Sequence, residues 1–256
     1  MTPLSLAIVC KNNEPTIGRV LESVRGLATE IVAIDSGSTD GTIALLEAAG
    51  ARVIRAEWRG HVATKQMALE ACSHPWVLCL DSDEPVMPEL AASIRAALAK
   101  DDPAVSGYRV NRKVWYAGGF LEHTWQPEWR LRLVRRGRAK WGGFDPHDKM
   151  EVTDGGKVLD LAGTLRHDSF ATIGEHFAKQ VGHAKVAAKS LYDAGGRSGV
   201  LRMLVSAKVA FLKQYVLKSG WRDGWRGAVC ASSAAVGTMM KHAVLMELSR
   251  AKSEVR

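Results

Sequence analysis

Alternation of short apolar runs with amphipathic segments through the first hundred residues predicts an α/β fold: a mostly parallel sheet flanked by helices. Three observations carry this expectation. Four apolar runs of strand length recur at 4–10, 30–35, 51–56 and 76–80, each followed by a helix-like segment. Acid-bearing polar loops follow the first, second and fourth runs, where ligands bind in parallel sheets. After residue 170 the texture becomes continuously helical, predicting a C-terminal helical extension.

"LSLAIVC" (4–10) reads as a buried strand, and "IGRVLESV" (17–24) as the helix behind it. "EIVAID" (30–35) is the second strand, and "GTIALLEAAG" (41–50) is a helix closed by glycine. "ARVIRA" (51–56) and "HVATKQMALEAC" (61–72) repeat the unit, as do "WVLCL" (76–80) and "PELAASIRAALAK" (88–100). From about residue 105 the segments 107–120 and 129–136 alternate and are rich in aromatic or β-branched residues, so they read as strands. Helices are expected over 172–196, 200–220 and roughly 228–248. The domain reading is 1–170 for the sheet domain, with halves 1–104 and 105–170, and 171–256 for the helical region.

At 256 residues the chain can bury a sizeable core. The four cysteines follow neither zinc-ligand nor disulfide spacing, which predicts reduced buried thiols and a cytosolic compartment. The N-terminus lacks a basic region, and no stretch approaches eighteen uncharged apolar residues, so neither a secretory signal nor a spanning helix is expected. The net charge of +8 is uneven: residues 1–100 hold 9 Lys and Arg against 12 Asp and Glu, and residues 101–256 hold 26 against 15. The basic part implies an anionic partner, whether nucleic acid, membrane surface or phosphorylated substrate.

The chemistry is concentrated at the strand ends. "KNNEP" follows the first strand, "DSGSTDGT" the second and "DSDEP" the fourth. Asp35 ends a buried strand at the ligand edge without capping anything evident, which marks it for a ligand. Asp81, Asp83 and Glu84 fall within four residues with no basic residue among them. Such carboxylates repel one another, and a divalent cation would compensate. A solvated turn before the helix that Pro88 and Glu89 begin is the simpler alternative.

"IVAIDSGSTDGT" and "LDSDE", in this order on an N-terminal βαβ sheet, resemble the inverting glycosyltransferases of family 2, whose GT-A fold has a Rossmann-like sheet. The run "WVLCLDSDE", "WRLRLVRR", "PHDKMEV", "LRHDSF" is similar to the lipopolysaccharide core β-1,4-glucosyltransferase branch. The resemblance implies a UDP-sugar donor and a divalent metal, Mg²⁺ or Mn²⁺. It places Asp81 by the ribose, Asp83 on the metal, Asp35 on the uracil and Glu14 near the nucleotide. His167 matches a histidine that some such enzymes place on the metal or diphosphate. An inverting transfer needs a general base. Asp148 stands where related enzymes carry the Glu of a His-Glu pair, and Asp145 is its competitor.

Trp129, Arg130 and Arg132 are expected on the acceptor side, and Arg135, Arg136 and Arg138 could join them on phosphates of a lipopolysaccharide core or other lipid-linked saccharide. The apolar, Lys-studded helix near 200–218 would lie on the anionic inner face of the cell membrane, making the protein cytoplasmic and peripheral, or would serve as a packed domain helix or an oligomer contact. Two other readings compete. A sugar nucleotidyltransferase shares such a sheet, but the first strand here lacks the Gly-rich, Arg-bearing loop that would hold a triphosphate. A non-catalytic nucleic-acid-binding protein would leave the acidic edge unexplained, so no nucleic-acid partner is expected.

Overall fold

The computed structural model divides into two compact units, Met1–Val114 with Pro127–Asp168, and Trp115–Gln126 with Ser169–Arg256. The structure describes residues 2–144 and 147–251.

The first unit opens with β1 (Leu4–Cys10), α1 (Glu14–Ser23), β2 (Glu30–Asp35), α2 (Thr42–Ala48), β3 (Arg52–Arg55), α3 (His61–Ala71), β4 (Trp76–Asp81) and α4 (Pro88–Lys100). These elements match the alternation expected from sequence, with β1, β2 and α4 as expected and the other boundaries within three residues. Pro15 in the first turn of α1 and Pro88 opening α4 supply the φ that a helix start needs. β5 (Val105–Tyr116) runs from this unit into the second, where β6 (Gly119–Phe120) pairs back on its end. β7 (Trp129–Arg135), β8 (Ala139–Phe144), β9 (His147–Val152) and β10 (Lys157–His167) complete the first unit.

Its main sheet has the order β10-β5-β7-β4-β1-β2-β3. β1 pairs in parallel with both β2 and β4, whereas β7 is antiparallel to β4 and β5. The chain thus leaves β1 in one direction for β2 and β3, then returns to the other side for β4. That reversal opens a crevice at the carboxyl ends of β1 and β4, where open α/β sheets hold ligands.

Helices α1, α2 and α4 cover one face: Ile17, Val20, Leu46, Leu90, Ile94 and Leu98 bury against Leu6, Ile8 and Leu78. The other face carries α3 and the β8–β9 hairpin, with Ala68, Leu69, Trp141 and Met150 packed on Val32, Ile34 and Val77. β1 and β4 are buried on both faces, which explains their unbroken apolar runs. Gly163 lets β10 lie against α4; a Cβ there would stand 2.3 Å from the Leu90 nitrogen, and its φ is +92°.

The sequence reading missed β8, β9 and β10. In β8, "AKWGGF" has two glycines in place of side-chain alternation. β10 shifts register near Gly163, which interrupts its period.

The second unit is mainly helical, with α5 (Ile173–Asp193), α6 (Val200–Leu212) and α7 (Gly224–Ala251). α5 is capped by Thr172, whose hydroxyl oxygen accepts from the Glu175 N–H at 3.0 Å, while Glu175 accepts from the Ala171 N–H at 2.7 Å. The helix expected over 200–220 is α6 followed by a π-helical turn, Lys213–Leu217, and a short 3₁₀ turn, Gly220–Asp223. Asp223 folds the 122–124 loop by accepting the Glu122 and Thr124 N–H groups at 2.9 and 2.6 Å. Buried His176 bridges the Tyr116 hydroxyl and Ser233 at 2.9 Å each. Gly220–Arg250 is long and apolar enough to cross a bilayer by length and composition, a test that the packed core helix of a soluble protein also passes. In the fold, α7 packs against α5 and α6.

Candidate active site

A cavity of about 780 Å³ opens at the crevice between β1 and β4. Its size lies in the range of small-molecule binding sites. Val9 and Cys10 from the end of β1, Asp81, Ser82 and Asp83 from the end of β4, and Lys65 from α3 line its floor. Trp129, Arg130 and Arg132 of β7, Trp141 of β8, Asp148 of β9 and His167 of β10 complete the wall. Seven Lys and Arg side chains line it against three Asp, a balance that favours an anionic ligand.

The carboxylates of "DSDE" are compensated from within the protein. Asp81 accepts from Lys65 through Oδ1 at 2.6 Å and from Arg132 through Oδ2 at 2.9 Å. Glu84, fully buried, takes Arg132 at 2.6 Å and Arg112 at 2.8 Å through Oε1, and its Oε2 accepts the Asp81 backbone N–H at 3.1 Å. Burial by itself would raise the Asp81 carboxyl; Arg132 and then Lys65 reverse this and hold it well below the usual carboxylate range. Burial would likewise lower Arg132, but Glu84 and Asp81 hold its guanidinium firmly charged. Glu128 extends the network with a two-bond pairing to Arg112 at 2.7 and 3.0 Å, and it also takes Arg130 at 2.6 Å.

Asp83 sits apart from this network. Its Oδ2 is 3.5 Å from His167 Nε2. Main-chain bonds hold the segment after β4 beside the end of β10, from Met87 N–H to Thr164 O, Arg166 N–H to Pro85 O and Asp168 N–H to Asp83 O, at 3.2, 3.1 and 2.9 Å. The sequence-predicted metal pair is therefore brought together. Among the described residues, no group of three His, Cys, Asp or Glu gathers to hold a metal.

Asp148 enters the same cavity from the hairpin, with its Oδ2 2.9 Å from Lys65 Nζ. Lys65 thus bridges Asp148 and Asp81, and it lies over the Trp141 ring at 4.8 Å. Asp145 lies outside the described residues.

Asp35 and Glu14 both hold the loop that follows β2. Asp35 is buried and caps its own turn, accepting Gly37 and Ser38 N–H groups at 3.0 Å and the Ser38 hydroxyl. The sequence reading saw no cap there, because an Asx turn closes within three residues and leaves no mark beyond its Gly and Ser. Glu14 is exposed and accepts the Gly41 N–H at 3.0 Å, and a Cβ at Gly41 would collide with it at 2.7 Å. Asn12 and Asn13 tie the first loop to the second through Ser38, Thr39 and Thr42. Neither Asp35 nor Glu14 lines the cavity.

The arginines also divide. Trp129 and Arg130, expected on the acceptor side, are each about 40% exposed at the cavity wall. Arg132 is 4% exposed and engaged by Asp81 and Glu84, so its charge stabilises those two carboxylates. Arg135 is held by Asp101 and the carbonyl oxygens of Val105 and Asp102, and Arg138 by Asp154 and Pro103. Sequence reasoning missed Lys65 and Arg112. Lys65 was open to it: a cation in the first turns of a helix following a parallel strand lies at the ligand edge.

The Glycosyl transferase family 2 profile matches residues 5–155. The chain belongs to this family. It is a glycosyltransferase with a GT-A-type fold, a mixed, mostly parallel sheet flanked by helices. It is 33% identical over 240 residues to the lipopolysaccharide core biosynthesis glycosyltransferase LpsC of Rhizobium meliloti, across 91% of this chain and 88% of that protein. An uncharacterized glycosyltransferase of Rickettsia typhi is 27% identical across 97% of this chain and 88% of its own length. Among solved structures, glucosyl-3-phosphoglycerate synthase of Mycobacterium tuberculosis, in complex with Mn²⁺, UDP and glucosyl-3-phosphoglycerate, is 25% identical over 43% of this chain and 44% of that chain, with a TM-score of 0.38.

Proposed function

We propose that this enzyme transfers a hexose, glucose from UDP-glucose, with inversion onto a lipopolysaccharide inner-core or other lipid-linked saccharide at the cytoplasmic face of the membrane. One observation carries the reading: a single cavity at the switch point of the sheet unites Asp81, Asp83, His167 and Asp148. The similarity to LpsC over nine-tenths of the chain supports the acceptor class.

The residues present fit a divalent cation. Asp83 and His167 offer a carboxylate and an imidazole 3.5 Å apart, a donor set suited to Mg²⁺ or Mn²⁺ when phosphate oxygens and water complete the shell. When bound there, the cation would neutralise charge on the leaving diphosphate.

The chain's own groups supply the rest. Asp148 takes the acceptor hydroxyl proton while that oxygen bonds to the anomeric carbon from the face opposite the diphosphate. The carbon–oxygen bond to the phosphate breaks and its electron pair leaves with UDP. Lys65 orients Asp148, and the basic wall attracts the diphosphate. The half-exposed Trp129 ring offers an apolar face for a sugar, and Arg130 a partner for acceptor phosphate. Asp35 shapes the loop beside the nucleotide; direct contact with uracil would require the Gly37–Ser38 turn to open.

Thermal melting with UDP, GDP, ADP and CDP, each with and without Mn²⁺, tests the donor site, because a ligand of the native state raises Tm. UDP should raise it only with the metal, and Asp83→Ala should abolish the rise. A metal-independent shift, or one with another nucleotide alone, overturns the donor assignment.

A further inference from the structure

Helix α6 reverses the usual arrangement of a surface helix. Leu201, Leu204, Val205, Val209, Leu212 and Val216 recur three or four residues apart and are all exposed, by 44–77%. The opposite side, with Met203, Ala207 and Phe211 half-buried, is the side on which α6 packs against α7. An amphipathic helix in water turns its polar face outward; here the apolar stripe faces solvent. Leu217, Trp221 and Trp225 continue the exposed apolar surface, at 79, 57 and 54%.

The charge of this segment has one sign. Residues 194–222 contain Arg197, Arg202, Lys208, Lys213, Lys218 and Arg222 and no Asp or Glu. A second copy of the chain meeting this face symmetrically would set cations against cations. At thirteen residues α6 is about 20 Å long, too short to span the hydrocarbon core. A surface that buries aliphatic side chains, accepts indole rings at its polar boundary and carries negative charge complements it on every count.

We propose that α6, the π turn after it and Trp221 and Trp225 form an interfacial docking surface for an anionic phospholipid bilayer. The aliphatic stripe enters the headgroup boundary, the two indoles sit at headgroup level, and the Lys and Arg side chains reach back to lipid phosphates. The proposal rests on the membrane location in the functional reading above, and names the surface responsible.

Sedimentation of the full chain with phosphatidylglycerol–phosphatidylcholine vesicles, and with phosphatidylcholine alone, tests it. Binding should require the anionic lipid and fall with salt. Leu201→Gln with Leu204→Gln, and separately Lys208→Glu with Lys213→Glu, should each weaken it about 10-fold or more. These side chains are exposed, so an unchanged circular dichroism spectrum confirms that the variants fold. Absence of vesicle binding, or binding that ignores both pairs of substitutions, overturns the proposal. So does retention through high salt and alkaline washing, which would point to α7 spanning the bilayer, or lipid-free dimerisation lost in the leucine variant. The UDP-induced shift in Tm is read in parallel without lipid: vesicle failure with that shift intact rejects the docking surface alone, and the converse rejects the donor site alone.

Discussion

Lys65 Nζ stands 2.9 Å from Asp148 Oδ2 and 2.6 Å from Asp81 Oδ1, so one ammonium joins the proposed base to the proposed donor site. The pairing spans two faces of the chemistry from one helix turn, and Trp141 backs it with its ring.

Lys65→Met removes that link and leaves two carboxylates facing one another. Loss of alignment of a reacting group by about 1 Å costs on the order of 10²-fold. Turnover of UDP-glucose should fall by roughly that factor in kcat, and Lys65→Arg should recover part of it. Steady-state UDP release measures both.

Asp148→Asn keeps the shape and removes the proton acceptor. General-base catalysis contributes about 10²–10⁴-fold, and kcat should fall within that range. The UDP-dependent rise in Tm should persist, because Asp83 and His167 are untouched. If Asp145→Asn loses activity and Asp148→Asn retains it, the base assignment passes to Asp145.

Glu84→Gln should unfold the enzyme more readily. Glu84 is fully buried between Arg132 and Arg112, and removing one partner of a buried charge network costs about 3–5 kcal/mol. Urea unfolding followed by circular dichroism should show that loss at neutral pH. An unchanged midpoint would mean that Asp81 and Glu128 alone satisfy the two guanidinium groups.

Acid should weaken the same network. Burial would raise Glu128, but its bonds to Arg112 and Arg130 prevail and bring it from 4.5 to about 2. A carboxylate lowered on folding stabilises the native state above its unfolded pKa, and that stability disappears as pH falls through the folded value. The contribution is about 3 kcal/mol in full, roughly 2 of it lost by pH 3. Asp81 acts in the same direction. Urea midpoints at pH 7 and pH 3 should differ less in Glu128→Gln than in the parent.

The parallel core of the fold was legible because β1 and β4 are buried on both faces and so read as unbroken apolar runs. The β8–β9 hairpin was not, since its signal lies in how it packs on α3 rather than in its own period. At the site, the sequence marked Asp81, Asp83, Asp148 and His167 by position and resemblance, and all four line the cavity. It did not reveal what neutralises Asp81. Lys65, Arg112 and Arg132 come from 16, 31 and 51 residues away along the chain, and only pairing of strands and packing of α3 bring them together. Cys10 was read correctly as a buried thiol: burial, with Asp35 beside it, pushes it up to about 12.

The ladder between 83–87 and 164–168 is made of main-chain atoms alone. It fixes where the side chains at 83 and 167 emerge without depending on what they are. The cleft thus has a fixed socket with exchangeable contacts: two substitutions could change which ion or group it grips, while the place of the grip stays with the backbone.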